Sequence, residues 1–212
     1  MSKGCALIHN LTKQLTRHKF PFVTSTIPEN GIYVLFEKAE TAHGYDRIVR
    51  VGTHTGINQL RSRLKQHFLS ENKDRSIFRK NIGRAILNER NDIFLKNWDL
   101  DLTTRKMREQ YSSSIDFNYQ KQVENEVSLY IRDNFSFAAF ELTDKSKRLE
   151  IESKLISTVS LCNDCKSSDN WFGRYSPKKK IVSSGLWLVN ELDKTPFDAS
   201  EMDYLLTIIK DK

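Results

Sequence analysis

Tyr33, Arg63, His67 and Glu152 are residues whose types and spacing suit phosphate chemistry. Arg63 and His67 stand four apart in a segment where Leu60, Leu64 and Phe68 recur at helical intervals, so a guanidinium and an imidazole share one helix face. A guanidinium is a planar fork that matches two phosphate oxygens and tightens as charge builds on them. An imidazole takes and returns a proton near neutral pH. Tyr33 lies upstream in an alternating run, Ile32 to Phe36, that reads as a strand. A phenol with a pKa of about 10 is a poor base at neutral pH, and a neighbouring cation favours its phenolate. Arg50, in a second alternating run from Arg47 to Val51, is the candidate for that cation. Glu152 shares a helical stripe with Leu149, Leu155, Ile156 and Val159. A carboxylate on an apolar stripe is costly to bury unless it is paired or holds a cation. One carboxylate together with phosphate oxygens and water suits Mg²⁺, with Mn²⁺ as the alternative.

These residues must be carried by a hairpin and the helices that follow it. The polar connector from Ala39 to Asp46 reads as a longer hairpin loop, and Gly52 closes the second strand. His54 falls on the next loop, and Ile57, Leu60, Leu64 and Phe68 make the inward face of the first basic helix. A second helix, capped by Asp74 or Ser76, points Ile77, Ile82, Ala85 and Ile86 inward and Arg75, Arg79, Lys80, Arg84 and Arg90 outward. Residues 91–134 read as an insertion: an apolar patch around Trp98, an exposed polar arm from Thr103 to Ser114, then a helix from Phe117. Phe135 to Leu142 is expected as the third, central strand, and Asp144 as the cap of the helix that carries Glu152. An N-terminal helical extension over 1–29, ended by Pro21, and two closing helices over 180–192 and 198–210 complete the chain.

The order Gly31-Ile32-Tyr33, then Val51-Gly52, then Arg63-x-x-x-His67 resembles the GIY-YIG nuclease superfamily. Leu149 to Ile156 resembles that superfamily's catalytic-glutamate helix, which places the metal-binding residue at Glu152. An asparagine usually follows, and Asn170 is the best match. The resemblance spans about 30–175, interrupted by the insertion, and departs from the pattern at Arg50, where a tyrosine is usual. It implies an α/β (α+β) sandwich, a three-stranded antiparallel sheet flanked by helices. It also implies a metal-dependent endonuclease acting on double-stranded DNA. Tyr33 would deprotonate water directly or through His67, Arg63 would hold the phosphate, and Glu152 would hold the metal, with Arg50, His54 and Asn170 in support. With no separable DNA-binding module, a stand-alone restriction-type enzyme is the reading, and a palindromic site would favour a homodimer. A repair or recombination nuclease and a catalytically inactive DNA-binding module are the alternatives.

The bulk properties agree with such a partner. At 212 residues with a net charge of +7, the chain reads as a single domain suited to polyanions. Arg61, Lys65, Arg79, Arg174, Lys178, Lys179 and Lys180 are candidate DNA contacts, the last four interleaved with Trp171, Phe172 and Tyr175. No apolar run is long enough for a membrane span, and the N-terminus carries no secretory pattern. Three irregularly spaced cysteines suggest a reducing, cytoplasmic setting. Cys162 and Cys165 form a lone C-x-x-C with Cys5 far away in sequence, so zinc is not expected.

Overall fold

A computed structural model describes residues 2–210. The chain opens with α1 (Ser2–Gln14), which buries Cys5, Ile8, His9 and Leu11 on one face. This helix ends well before Pro21. A two-residue strand β1 (His18–Lys19) follows, and then the hairpin of β2 (Gly31–Ala42) and β3 (Tyr45–Gly52). Next come α2 (Leu60–Phe68) and α3 (Ile77–Glu89). Two short helices, α4 (Leu95–Trp98) and α5 (Arg105–Tyr111), lead into the long α6 (Phe117–Asn134) and the strand β4 (Phe135–Glu141). The chain closes with α7 (Lys145–Ser160), α8 (Lys179–Ser184) and α9 (Ala199–Lys210).

The sheet is antiparallel with the order β1-β4-β2-β3, so it has four strands rather than three. The additional strand pairs only His18 and Lys19 with Phe137 and Ser136, too short to leave an alternating pattern. β2 is central and is buried on both faces along its first seven residues. Its alternation divides the core in two. Tyr33 and Leu35 face a layer built from α2, α3 and α6, represented by Leu64, Phe78 and Val127. Ile32, Val34 and Phe36 face a layer built from α1, α7 and α9, represented by Ile8, Leu155 and Leu205.

The hairpin is longer and tighter than its polar connector suggests. Both strands run to a two-residue turn, with Ala42 opposite Tyr45 and positive φ at His43 (56°) and Gly44 (80°). That is the primed turn whose twist matches the strands it joins. Between the Leu35–Arg50 and Phe36–Ile48 pairs, β3 carries the extra residue Val49. This bulge puts Val49 and Arg50 together opposite one residue and re-aims them.

Other expectations change because the insertion folds over α3. Arg79, Lys80 and Arg84 do not face solvent. Arg79 is wholly buried, donating from Nη2 to Glu124 Oε2 at 2.8 Å and to Ser128 Oγ at 2.8 Å on α6. Lys80 Nζ donates to the Leu100 carbonyl (3.1 Å), and Arg84 Nε to Asp99 Oδ1 (2.5 Å). The polar arm contains α5, started by Thr104, whose Oγ accepts the Met107 amide N–H at 3.2 Å. Ile57 is exposed rather than part of the α2 face. The expected helix over 180–192 stops at Ser184. Gly185 takes a left-handed φ of 71°, and the chain then runs along the open edge of β3, where the Trp187 amide donates to the Val49 carbonyl at 2.7 Å. Ser76, Asp144 and Asp198 cap α3, α7 and α9 as their side chains allow. Among the described residues, no helix is long and apolar enough to cross a membrane.

Candidate active site

Tyr33 projects from β2 against the α2 layer. Its Oη lies 2.7 Å from His67 Nε2, and His67 Nδ1 lies 2.8 Å from Ser76 Oγ at the start of α3. Ser76 Oγ also accepts the Arg79 amide N–H at 3.2 Å. One helix cap thus orients the imidazole that meets the phenol. His67 is fully buried. Burial, and then the cations Arg50, Arg63 and Arg79, hold it well below its ordinary pKa, so the ring is neutral. Gly52 makes room for this pair. It lies opposite Tyr33 in the ladder, and a Cβ there would come 2.3 Å from Tyr33 Oη.

Arg50 reaches the same phenol across the hairpin. Its Nε donates to Tyr33 Oη at 3.4 Å, its Nη1 donates to the Trp187 carbonyl, and its guanidinium carbon stands 5.4 Å from the centre of the Phe78 ring. Tyr33 and His67 have no exposed surface. Arg50 is their link to the outside, because it also lines a cleft of about 470 Å³ at the β3 edge.

The two helical layers meet in that cleft. Arg63 comes from α2 and Glu152 from α7, and both line it. Arg63 is half-buried, held by Gln66 Oε1 and the Arg75 carbonyl, each at 3.2 Å. Burial pushes the Glu152 carboxyl above its ordinary pKa. Arg50 and the Thr53 amide oppose that rise, Glu191 adds to it, and Arg63 opposes it. A neighbouring cleft of about 310 Å³, lined by Thr53, His54, Gln59, Ser62 and Gln66, also touches Arg63. His54 is buried rather than solvated. Its Nδ1–H donates to the Gly56 carbonyl (2.7 Å) and its Nε2 accepts the Gly31 amide N–H (3.2 Å), pinning the loop after β3 to the start of β2.

Three further residues complete the site. Asn190 and Glu191 enter the Glu152 cleft from the segment along the β3 edge. Glu191 Oε2 accepts from Ser153 Oγ at 2.7 Å, and its φ of 62° is left-handed. Asn81 of α3 also lines the cleft, and its buried Nδ2 has no hydrogen-bond partner. The helical period of α3 marks Asn81 only as a polar neighbour of Ile82. Asn170, by contrast, is exposed and does not line the cleft; Asn190 stands there instead.

The candidate DNA contacts divide. Lys65, Lys179 and Lys180 are exposed and Lys178 is half-buried. Arg174 is exposed but donates to Asp169 Oδ1 at 2.9 Å. Arg61 is half-buried and engaged locally, donating to the Ile27 carbonyl (2.7 Å) and Glu29 Oε1 (3.1 Å). Trp171 is a core residue: its Nε1–H and that of Trp187 donate to Glu37 Oε2 at 2.7 and 2.8 Å.

This set is a guanidinium and a carboxylate from opposite layers, with a buried phenol–imidazole pair behind an arginine. A family model for the GIY-YIG domain matches residues 4–212. The chain belongs to the GIY-YIG family, a family of nucleases, and the match extends through both terminal regions as well as the hairpin. Comparison with curated proteins and with solved structures gave no match.

Proposed function

We propose that the protein is a metal-dependent endonuclease that hydrolyses phosphodiester bonds of double-stranded DNA, cutting at fixed sites in the manner of a restriction enzyme. The convergence of Arg63 and Glu152 on one cleft, with Arg50 joining it to Tyr33, carries this reading. The donors fit a divalent cation. Glu152 is a half-buried carboxylate with Glu191 beside it, and Mg²⁺ needs few protein ligands because it keeps water and phosphate oxygens. Glu152 would hold Mg²⁺ or Mn²⁺, which when bound neutralises charge on the phosphate.

The remaining chemistry belongs to the chain. Arg63 holds the phosphate oxygens with its fork, more tightly as charge develops. Asn81 Nδ2 is a further donor for that oxygen cluster. A water oxygen bonds to phosphorus while the bond to the leaving sugar oxygen breaks. The phenol's own proton passes from Tyr33 Oη to His67 Nε2 as the water's proton passes to Tyr33 Oη, and the leaving oxygen takes a proton from solvent. Because Tyr33 is enclosed, Arg50 must shift aside for that transfer. The integration of Arg50 into both the phenol pair and the cleft favours a working site over a decayed one.

Digestion of plasmid and phage DNA with and without Mg²⁺ tests the reading. Discrete metal-dependent fragments are expected from the native chain. Glu152→Ala abolishes them, and Tyr33→Phe slows them by about 10²–10⁴-fold, the usual worth of a positioned proton acceptor. An unfragmented duplex with either Mg²⁺ or Mn²⁺ overturns the proposal.

A further inference from the structure

All three cysteines of the chain are buried free thiols, and the fold gathers them at one place. Cys5 and His9 lie one turn apart on the buried face of α1. Cys162 and Cys165 form the turn that ends α7, where the Cys165 amide donates to the Cys162 carbonyl at 3.3 Å. His43 is the first residue of the β2–β3 turn. One donor atom from each of Cys5, His9, His43 and Cys165 lies within 4.8 Å of the other three. Cys165 Sγ is 3.7 Å from His9 Nε2, and Cys162 Sγ is 3.6 Å from His43 Nε2.

We infer that Cys5, His9, His43 and Cys165 form a structural zinc site. Two thiols and two imidazoles are the donor set that selects zinc over magnesium or calcium, and four such ligands close a tetrahedron. In a tetrahedral site with Zn–S near 2.3 Å and Zn–N near 2.0 Å, ligand atoms stand roughly 3.3–3.8 Å apart. The cluster therefore needs to contract by no more than about 1–1.5 Å at its widest pair to reach bonding geometry.

The His9 imidazole is oriented for it. His9 Nδ1–H donates to the Cys5 carbonyl at 2.9 Å, which leaves the lone pair on Nε2. That nitrogen faces Cys165 and accepts the Ile48 amide N–H at 3.2 Å, a bond that zinc replaces. A backbone carbonyl behind the ligating imidazole is the usual device for orienting it. His43 holds a left-handed φ of 56° at the first position of a turn that favours asparagine or glycine. Such a conformation carries a cost for a side chain with a Cβ, and ligation would repay it. The linear sequence hides this set because its members come from three separate elements, and the C-x-x-C contributes one ligand rather than two.

The site is structural rather than part of the cleft. Glu152 lies eight residues, about 12 Å of helix, before the end of α7 at Ser160, and Cys165 comes after that end. Zinc would tie α1, the hairpin tip and the end of α7 into one unit, fixing the helix that carries Glu152. The inference does not rest on the nuclease reading.

The test is elemental analysis of the full-length protein purified without chelator. One zinc per chain is expected in the native protein and equally in Glu152→Ala and Cys162→Ser, with loss in Cys165→Ser and His43→Gln. Cobalt exchanged into the native protein should give the visible bands of a tetrahedral thiolate site, a readout that survives any folding failure among the variants. A native protein that neither contains zinc nor takes up cobalt after reduction overturns the inference. So does undiminished zinc in folded Cys165→Ser, or a disulfide between Cys5 and Cys165 in freshly purified protein.

Discussion

Arg50 occupies the position where the family resemblance leads one to expect a tyrosine, and it touches both the buried phenol and the cleft. The bulge at Val49 turns it toward Tyr33, whose hydroxyl it touches, and the cleft takes its other side. Glu152 faces the same guanidinium, and its carboxyl is raised by burial. The sign of its pH effect follows. Below its raised pKa, Glu152 is protonated and cannot hold a cation. On the proposed reading, in which Glu152 holds the metal, the acid limb of cleavage should lie above the ordinary carboxylate range of about 4.3, with activity gained as pH rises through it. Rates measured from pH 4 to 8 at several Mg²⁺ concentrations check this. The limb should move to lower pH as Mg²⁺ increases, because a bound cation favours the ionised form. A limb that ignores Mg²⁺ would detach Glu152 from the metal.

Among the elements, α3 departs most from what its pattern suggests. Its basic residues look like a solvated face, yet the insertion supplies acids and carbonyls to them. Arg79 is the clearest case, gripping Glu124 and Ser128 of α6 and also the His67 carbonyl at 3.2 Å. It thereby connects the insertion to the end of α2. Burial pushes the Glu124 carboxyl up, and Arg79 is the main group opposing that. Removing the guanidinium leaves a buried acid without its partner. Arg79→Ala should cost about 3–5 kcal/mol, the usual penalty for breaking a buried pair. Arg79→Met with Glu124→Leu should cost less than Arg79→Ala alone. Urea unfolding of the three proteins makes the comparison, and a cost below about 1 kcal/mol for Arg79→Ala would show that the pair contributes little.

At the scale of the molecule, the charge of +7 is spread unevenly in its consequences. Arg79, Lys80 and Arg84 are spent internally, and Arg61 braces the approach to β2. Lys65 and the run Lys178 to Lys180 remain turned to solvent in whole or part. Those lysines are the better candidates for phosphate contacts. Each phosphate contact contributes about 0.9 to the slope of log affinity against log salt. The triple replacement of Lys178, Lys179 and Lys180 by alanine should lower that slope by up to about 2.7 if all three contact DNA. Duplex binding by Glu152→Ala, with and without the triple change, measures it across a salt series; an unchanged slope would take α8 off the DNA.

The amino-acid sequence by itself determined the local carriers. Alternation made the hairpin legible, and the spacing of Arg63 and His67 put them on one helix. The stripe through Glu152 marked its helix, and Asp144 its start. These signals are local, because periodicity and capping act within a few residues. Contacts between distant segments were decided only by tertiary structure. The edge of β3 draws Trp187, and with it Asn190 and Glu191, out of what reads as a helix and into the cleft. Glu37 gathers Trp171 and Trp187 from far along the chain. The cysteines and histidines that meet behind the sheet come from α1, a hairpin tip and the end of α7. No short-range pattern encodes such meetings, since each depends on how two helical layers close over the same four strands.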